Sequence, residues 1–206
     1  ADIWTIDGSL NTLSDRPGMD SQKTNTYGIK IYHQLDGKEL QSLSSMTDSD
    51  VVISYDADWS NPVDNAPYIY DYFSETTRNR KTIGQEFRLV SDIANFDLNQ
   101  KTEWVLGISY FDVTEDNLKK DDGVYGDPAD PFGPYFSKSL FASKFSSDSF
   151  SIFGSLDYLL DESIKLSVGV RWENFKSQYS DSFGESFNPS DQMPGGKISL
   201  NKSLSD

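Results

Sequence analysis

Hydrophobic and polar residues alternate along this chain with a period of two. In IKLSVGVRWENF the apolar residues Ile164, Leu166, Val168, Val170 and Trp172 take even positions, and Lys165, Ser167, Gly169, Arg171 and Glu173 take odd ones. The run is long for a strand, since strands of soluble proteins are typically about five or six residues. Tyr27, Ile29, Ile31 and Leu35 share a parity in TYGIKIYHQL, as do Leu106, Ile108 and Tyr110 in EWVLGISYF. Phe150, Ile152, Leu156, Tyr158 and Leu160 do so in SFSIFGSLDYLL, where Phe153 and Leu159 break the pattern, and Ile198, Leu200 and Leu204 in GGKISLNKSL. Each segment reads as an amphipathic strand.

The pattern predicts about seven antiparallel strands, over 24–35, 40–55, 84–91, 102–112, 149–160, 164–181 and 197–204. Their connections alternate in length. Asp36–Glu39, DGKE, is a hairpin turn because Asp-Gly accepts the left-handed backbone that tight hairpins need. A long polar and aromatic connection follows over 56–81, then a moderate turn with Asn95, Asp97 and Asn99. A second long connection spans 115–147 with Pro128, Pro131 and Pro134, and DES joins the next two strands. On antiparallel strands this puts the short turns at one end and the long loops at the other, as in a transmembrane β-barrel. About twelve residues at roughly 3.3 Å each, tilted by about 40°, cross roughly 30 Å, a bilayer thickness.

Two solvents are compatible with the alternation. In a barrel, Ile164 to Trp172 would face lipid on the even side and a watery lumen on the odd side, leaving Lys165, Arg171 and Glu173 hydrated. Trp172, Phe175 and Tyr179 would lie toward an aromatic girdle at the long-loop end. A soluble β-sandwich would alternate too, with its apolar face inward.

Composition narrows the chemistry. The chain has 206 residues and a formal charge of −15 from 18 basic and 33 acidic side chains. Nucleic acid is excluded as a partner, since phosphate binding needs a basic face. No apolar run reaches the roughly eighteen residues of a membrane-spanning helix. With no cysteine, disulfides, zinc thiolates and thiol nucleophiles drop out. The single histidine, His33, reads as a strand residue. Ala1 to Leu10 lacks the basic and apolar regions of an export signal, as in a chain whose signal is removed or one that starts inside a longer protein.

Particular wordings carry a resemblance. SYDADWSNP (Ser54–Pro62), GQEFRLVSD (Gly84–Asp92), WVLGISYFD (Trp104–Asp112), LSVGVRWENF (Leu166–Phe175) and MPGGKISLNKSLSD (Met193–Asp206) occur in that order. The set resembles the barrel of TonB-dependent outer-membrane receptors. In those proteins a Tyr-Asp-x-Asp element precedes a Gln-Glu-hydrophobic-Arg-Leu strand and a Trp-x-x-Gly-x-x-Tyr-Phe strand. A Gly-x-Arg-Tyr/Trp strand and a Pro-Lys-hydrophobic-Ser strand follow, and here Gly195 and Gly196 depart from the usual start of the latter. The resemblance implies an all-β fold: an antiparallel transmembrane β-barrel segment, about seven strands of a larger barrel of the roughly 22-stranded type, with long extracellular loops and short periplasmic turns. Residues 1–206 would form part of a single β-barrel domain, with the N-terminal plug and C-terminal strands outside this chain. It further implies a bacterial outer membrane, lipid and a small-molecule ligand such as an iron complex as partners, and the TonB system reached through the plug. The function implied is energised uptake of a scarce ligand, with a ferric siderophore or other iron complex first. The rivals are a soluble carbohydrate-binding β-sandwich and a passive porin.

Candidate chemistry is thin, and neither an enzyme nor a cofactor is expected. Asp48/Asp50, Asp56/Asp58, Asp121/Asp122 and Asp127/Asp130 are paired in sequence, but a glycosidase needs two carboxylates at a fixed separation. DDGVYGDPAD lacks the closing glutamate of a calcium loop, so a metal site is left unassigned. Aromatic residues in the long connections form the more pointed set. Trp59, Tyr68, Tyr70, Tyr72, Tyr125, Phe132 and Tyr135 are the candidate ligand-binding residues, with Trp4, Phe73 and Phe136 beside them, because rings offer large contact area with few rotors.

Overall fold

The computed structural model describes residues 14–91, 102–161 and 163–202. Eight strands run in chain order: β1 (Met19–Leu35), β2 (Lys38–Asp56), β3 (Ile69–Ser91), β4 (Thr102–Gly126), β5 (Tyr135–Leu159), β6 (Ile164–Asp181), β7 (Ser186–Phe187) and β8 (Ser190–Lys202). A four-residue helix, α1 (Pro62–Asn65), sits between β2 and β3. All eight strands belong to one sheet of order β1-β2-β3-β4-β5-β6-β7, with β8 also pairing with β6. The expected antiparallel sheet is therefore present, as seven long strands and one two-residue strand. No ladder joins β1 to β8 among the described residues. No helix among them is long and apolar enough to cross a membrane, which says nothing of crossing by strands.

The strands are longer than the alternation predicts, and this corrects the loop assignments. β3 has 23 residues, and β4 and β5 have 25 each. Most of the predicted connections 56–81 and 115–147 is thus strand, and the remaining links are 57–68 and 127–134. The reason is physical. Where both faces of a ladder carry polar side chains, the apolar alternation disappears while backbone pairing continues. Ser74 Oγ donates to Asp121 (2.6 Å), Arg78 Nε to Asn117 (2.9 Å) and Arg80 Nε to Glu115 (2.6 Å), cross-strand pairs that hold such segments together. The short turns fall where expected. Gly37 adopts φ 67°, and Asp161 Oδ1 accepts from the Ser163 and Ile164 amides at 2.7 and 2.8 Å. Asn95, Asp97, Asn99, Trp4 and Leu204 lie outside the described residues.

The described residues divide into two compact units. One holds 14–22, 51–78 and 117–142, and the other holds 23–50, 79–116 and 143–202. In the second unit the register assigns the faces. Val168 lies between Leu156 and Ile198, and Leu166 between Tyr158 and Leu200. The opposite face carries Arg171, 5.9 Å over the Phe153 ring and 3.0 Å from Glu173, and Lys165 at 2.6 Å from Asp157. Ser109 and Ser151 share a hydrogen bond of 2.7 Å on that same face. Phe175 and Tyr179 pair with Ser149 and Phe145 on the polar alternation. They are therefore not girdle residues like Trp172, which corrects that expectation.

Burial is inverted relative to a soluble domain. No hydrophobic side chain among the described residues is buried, and the buried ones are seven serines and Asp56. Exposed side chains include Ile29 at 62%, Val170 at 63% and Ile198 at 76%. A sandwich would have packed this parity against a second sheet. The apolar positions instead form a band, Tyr27–Leu35 on β1, Trp104–Tyr110 on β4, Phe150–Leu160 along β5 and the residue that follows it, and Ile164–Trp172 on β6. Seven to eleven residues tilted by about 40° make a band roughly 18–28 Å tall, which brackets the height of the lipid-facing belt of a barrel. Tyr27, Tyr110, Phe150 and Trp172 close it at one margin, and Trp104 and Tyr158 stand at the other.

Candidate functional site

Three of the seven candidate aromatics meet in the first unit. Tyr70 and Tyr72 lie two apart on β3, with ring centroids 5.0 Å apart. Tyr125 of β4 stands edge-on to Tyr70 at 6.5 Å. The Tyr72 ring lies over Gly123, where any Cβ would collide with it, so glycine is what lets the ring lie flat on the sheet. These even positions of β3 continue the alternation that carries Glu86 and Arg88. Each tyrosine was expected in a loop and belongs instead to a strand, which fixes its direction.

Tyr135 opens β5, and its hydroxyl donates to Asp130 at 2.7 Å. Asp130 also accepts from the Phe132 amide at 2.9 Å. The Phe132 amide, and then the Tyr135 hydroxyl, hold the Asp130 carboxyl below its ordinary value, while Asp130 raises the Tyr135 phenol. The link 127–134 is thereby pinned at its centre, and Phe132 is left 85% exposed at its tip.

Trp59 is displayed differently. Its φ of 59° is the one left-handed non-glycine conformation among the described residues, and for a bulky side chain this costs on the order of 1–3 kcal/mol. Asp58 holds it there, accepting from the Ser60 amide (2.9 Å), the Ser60 hydroxyl (2.6 Å) and the Tyr72 amide (2.5 Å). Asn61 caps α1 by accepting from the Val63 and Asp64 amides, and Asn65 Nδ2 donates to the Tyr70 carbonyl at 2.9 Å. Trp59 lies 6.5 Å from Tyr55 rather than among the other candidates. Tyr68 is half exposed, its amide bonded to the Asn65 carbonyl at 2.9 Å.

Sequence reasoning missed Tyr55 and the cluster around Arg16. Arg16 lies 4.3 Å over the Phe73 ring, with its nitrogens 3.1 Å from Asp71 and 3.4 Å from Asp122. Nothing in the local pattern brings residue 16 to residue 122, because only the sheet order does. The paired acids are mostly engaged locally. Asp121 binds Ser74 and Lys119, Asp122 binds Arg16, Asp127 takes the Ala129 amide and Asp58 holds Ser60. Asp56 is buried, and neither of its oxygens has a hydrogen-bond partner. No group of three metal-ligating side chains occurs among the described residues.

A sheet with polar burial and an exposed apolar belt about as tall as a bilayer core has the features of a barrel wall, and the family comparison agrees. The family model described as TonB dependent receptor-like, beta-barrel, matches residues 2–199. The chain belongs to that family. It is a family of receptors and transporters rather than enzymes. Among solved structures the chain is similar to the ferric yersiniabactin uptake receptor FyuA from Yersinia pestis, at 16% identity and TM-score 0.59, over 90% of this chain and 26% of that one. It is similar to the ferric citrate transporter FecA in its unliganded form at 12% identity and TM-score 0.59, over 92% and 26%. A third is BauA, the ferric preacinetobactin receptor from Acinetobacter baumannii, at 16% and 0.54, over 88% and 28%. These likenesses show the fold, and the chain spans about a quarter of the length of each of those structures. No curated protein sequence matches.

Proposed function

We propose that this chain is wall and outer rim of a bacterial outer-membrane receptor that takes up a scarce ligand, a ferric siderophore or other iron complex, with energy from TonB. The observation that carries the reading is the inverted burial, with no buried hydrophobic among the described residues and an exposed apolar belt about as tall as a bilayer core. Membrane lipid covers that belt. The polar alternation faces the lumen, where paired ions such as Lys165 and Asp157 stay hydrated. The similar structures bear the names of ferric-complex receptors, which favours an iron complex here. TonB acts through a plug outside these residues.

Tyr70, Tyr72, Tyr125 and Tyr135 form the inward capture surface, with Trp59, Tyr68 and Phe132 displayed around it. Rings and phenols suit a bulky ligand held by contact area and a few directed hydrogen bonds. Uptake of a radiolabelled ferric chelate by cells carrying the intact receptor is the test. Tyr70→Ala with Tyr125→Ala is expected to lower apparent affinity at unchanged receptor level. Collapse of the proton gradient is expected to stop uptake while binding persists. Ferric chelate uptake that survives the collapse would sink the energised reading.

A further inference from the structure

Arg16 precedes β1, yet it binds β3 and β4, which lie two and three places away in the sheet order. The chain reaches them by way of β2. Gly18 rests on the β2 backbone at Ser54 and Tyr55, where a Cβ would collide with the Ser54 carbonyl, and the Met19 amide donates to Ser54 Oγ at 3.0 Å. Glycine is what permits so close an approach. From this seat the Arg16 guanidinium lies 4.3 Å over the Phe73 ring and bridges two carboxylates, Asp71 of β3 at 3.1 Å and Asp122 of β4 at 3.4 Å. The cross-strand bonds Ser74–Asp121 and Lys120–Glu75 set the register of β3 on β4. Phe73 is thereby opposite Asp122, Tyr72 opposite Gly123 and Tyr70 opposite Tyr125, in agreement with the ring contacts. Because side chains alternate, Arg16 grips the two strands on one side of the sheet while the three tyrosines meet on the other, over the same residues.

We propose that Arg16 is a positioning residue for ligand capture, a role that rests on the capture surface proposed above. It touches none of the three rings and acts through the strands that carry them. Asp58 accepts from the Tyr72 amide and Asn65 donates to the Tyr70 carbonyl, so the link 57–68 fastens those two tyrosines on β3. Tyr125 belongs to β4, and its meeting with Tyr70 depends on what ties β3 to β4. Backbone pairing alone leaves freedom there, since neighbouring strands differ in twist over a range of roughly 10–35°. A planar cation with five donors suits the task, because it can meet a carboxylate on each strand and lie flat on a ring at once. A lysine ammonium offers no such plane. Held at one spacing and twist from behind, the rings are converged before a ligand arrives, and binding is spared the cost of ordering them.

The first arm of the test needs no ligand. The intact receptor carries Tyr70→Cys and Tyr125→Cys with no other cysteine, and disulfide formation under mild oxidant is followed, since register partners cross-link readily only while their spacing holds. Arg16→Gln is expected to slow the reaction about threefold. Lys120→Gln, which removes a lone exposed pair with Glu75 on the same side of the same strands, is expected to leave it unchanged. In the second arm the tyrosines are intact, and equilibrium binding of two radio-iron chelates, a trihydroxamate and a tricatecholate, is measured on de-energised cells. Arg16→Gln is expected to weaken the chelate that wild type binds about fivefold, at unchanged receptor level and maximal uptake rate. Asp122→Asn, which leaves Arg16 its pair with Asp71, is expected to weaken it about twofold. In a Tyr70→Ala, Tyr125→Ala background Arg16→Gln should add nothing. Wild-type cross-linking in Arg16→Gln, or equal slowing by Lys120→Gln, overturns the role of Arg16 whatever the chelates do. Slowed cross-linking with unchanged chelate binding, or a wild type that binds neither chelate, overturns the capture surface beneath it.

Discussion

Val168 and Ser167 are adjacent in sequence and, on this account, face different solvents. Val168 is the centre of the apolar run Ile164–Trp172 and lies between Leu156 and Ile198. Val168→Arg would place a guanidinium near the bilayer midplane, at a cost of about 2–4 kcal/mol. At about 1.4 kcal/mol per decade, this shifts the balance between assembled and unassembled receptor by roughly 30- to 700-fold. Ser167 lies between Asp157 and Ser199, so Ser167→Arg adds a cation beside a carboxylate already paired with Lys165. In a hydrated lumen such a pair is worth at most about 1 kcal/mol. Assembly is read from the fraction of receptor that resists unfolding by detergent until boiled. The expected result is a large loss for Val168→Arg and near wild-type assembly for Ser167→Arg. Equal losses, or a greater loss at Ser167, would refute the assignment of faces, and with it the proposed capture surface.

Other expectations follow from the same geometry. Gly123→Val would force the Tyr72 ring off the sheet, and Gly107→Val the Phe153 ring; each is expected to cost about 1–3 kcal/mol by overpacking, seen as a lower unfolding midpoint, and an unchanged midpoint would show that the rings yield freely. A tag inserted after Ala129 should be labelled on intact cells and one at Gly37 should not, because the short turns belong on the periplasmic side; labelling at Gly37 alone would invert the topology. The Asp130 carboxyl is held below its ordinary value of 3.8, so its contribution to the order of residues 127–134 is complete above that value and lost as pH falls through the lowered one. The Tyr135 phenol is raised, so its contribution is complete below its ordinary 10.0 and lost only as pH rises through the raised value. Proteolysis within 127–134 should therefore stay slow from mildly acidic to mildly basic pH and speed up in Asp130→Asn; sensitivity beginning near neutrality would contradict the bond.

Strand alternation was legible wherever two different solvents lie on the two faces. From Ile164 to Trp172 every position obeys it, and the register confirms that Leu166 and Val168 keep the company of Tyr158 and Leu156. β2 was harder, because Ser42 and Ser44 share an alternation with Leu40 and Met46. Ser44 Oγ donates to Gln85 at 2.5 Å and Gln85 donates to Ser42 at 3.2 Å, so these polar groups satisfy one another and need no water. Beyond the belt the signal vanished. Residues 69–81 and 115–126 read as loop since both of their faces are polar, and only partners distant in sequence, such as Asp121 for Ser74, reveal the ladder.

That failure shaped the reading of the aromatics. A ring assigned to a loop has no direction, whereas a ring assigned to a strand has one of two, and parity then decides what it can touch. Tyr70, Tyr72 and Tyr125 come together because their alternations coincide across β3 and β4, while Phe73, one residue from Tyr72, takes the other side and meets Arg16. Composition could supply the set of rings but not its division.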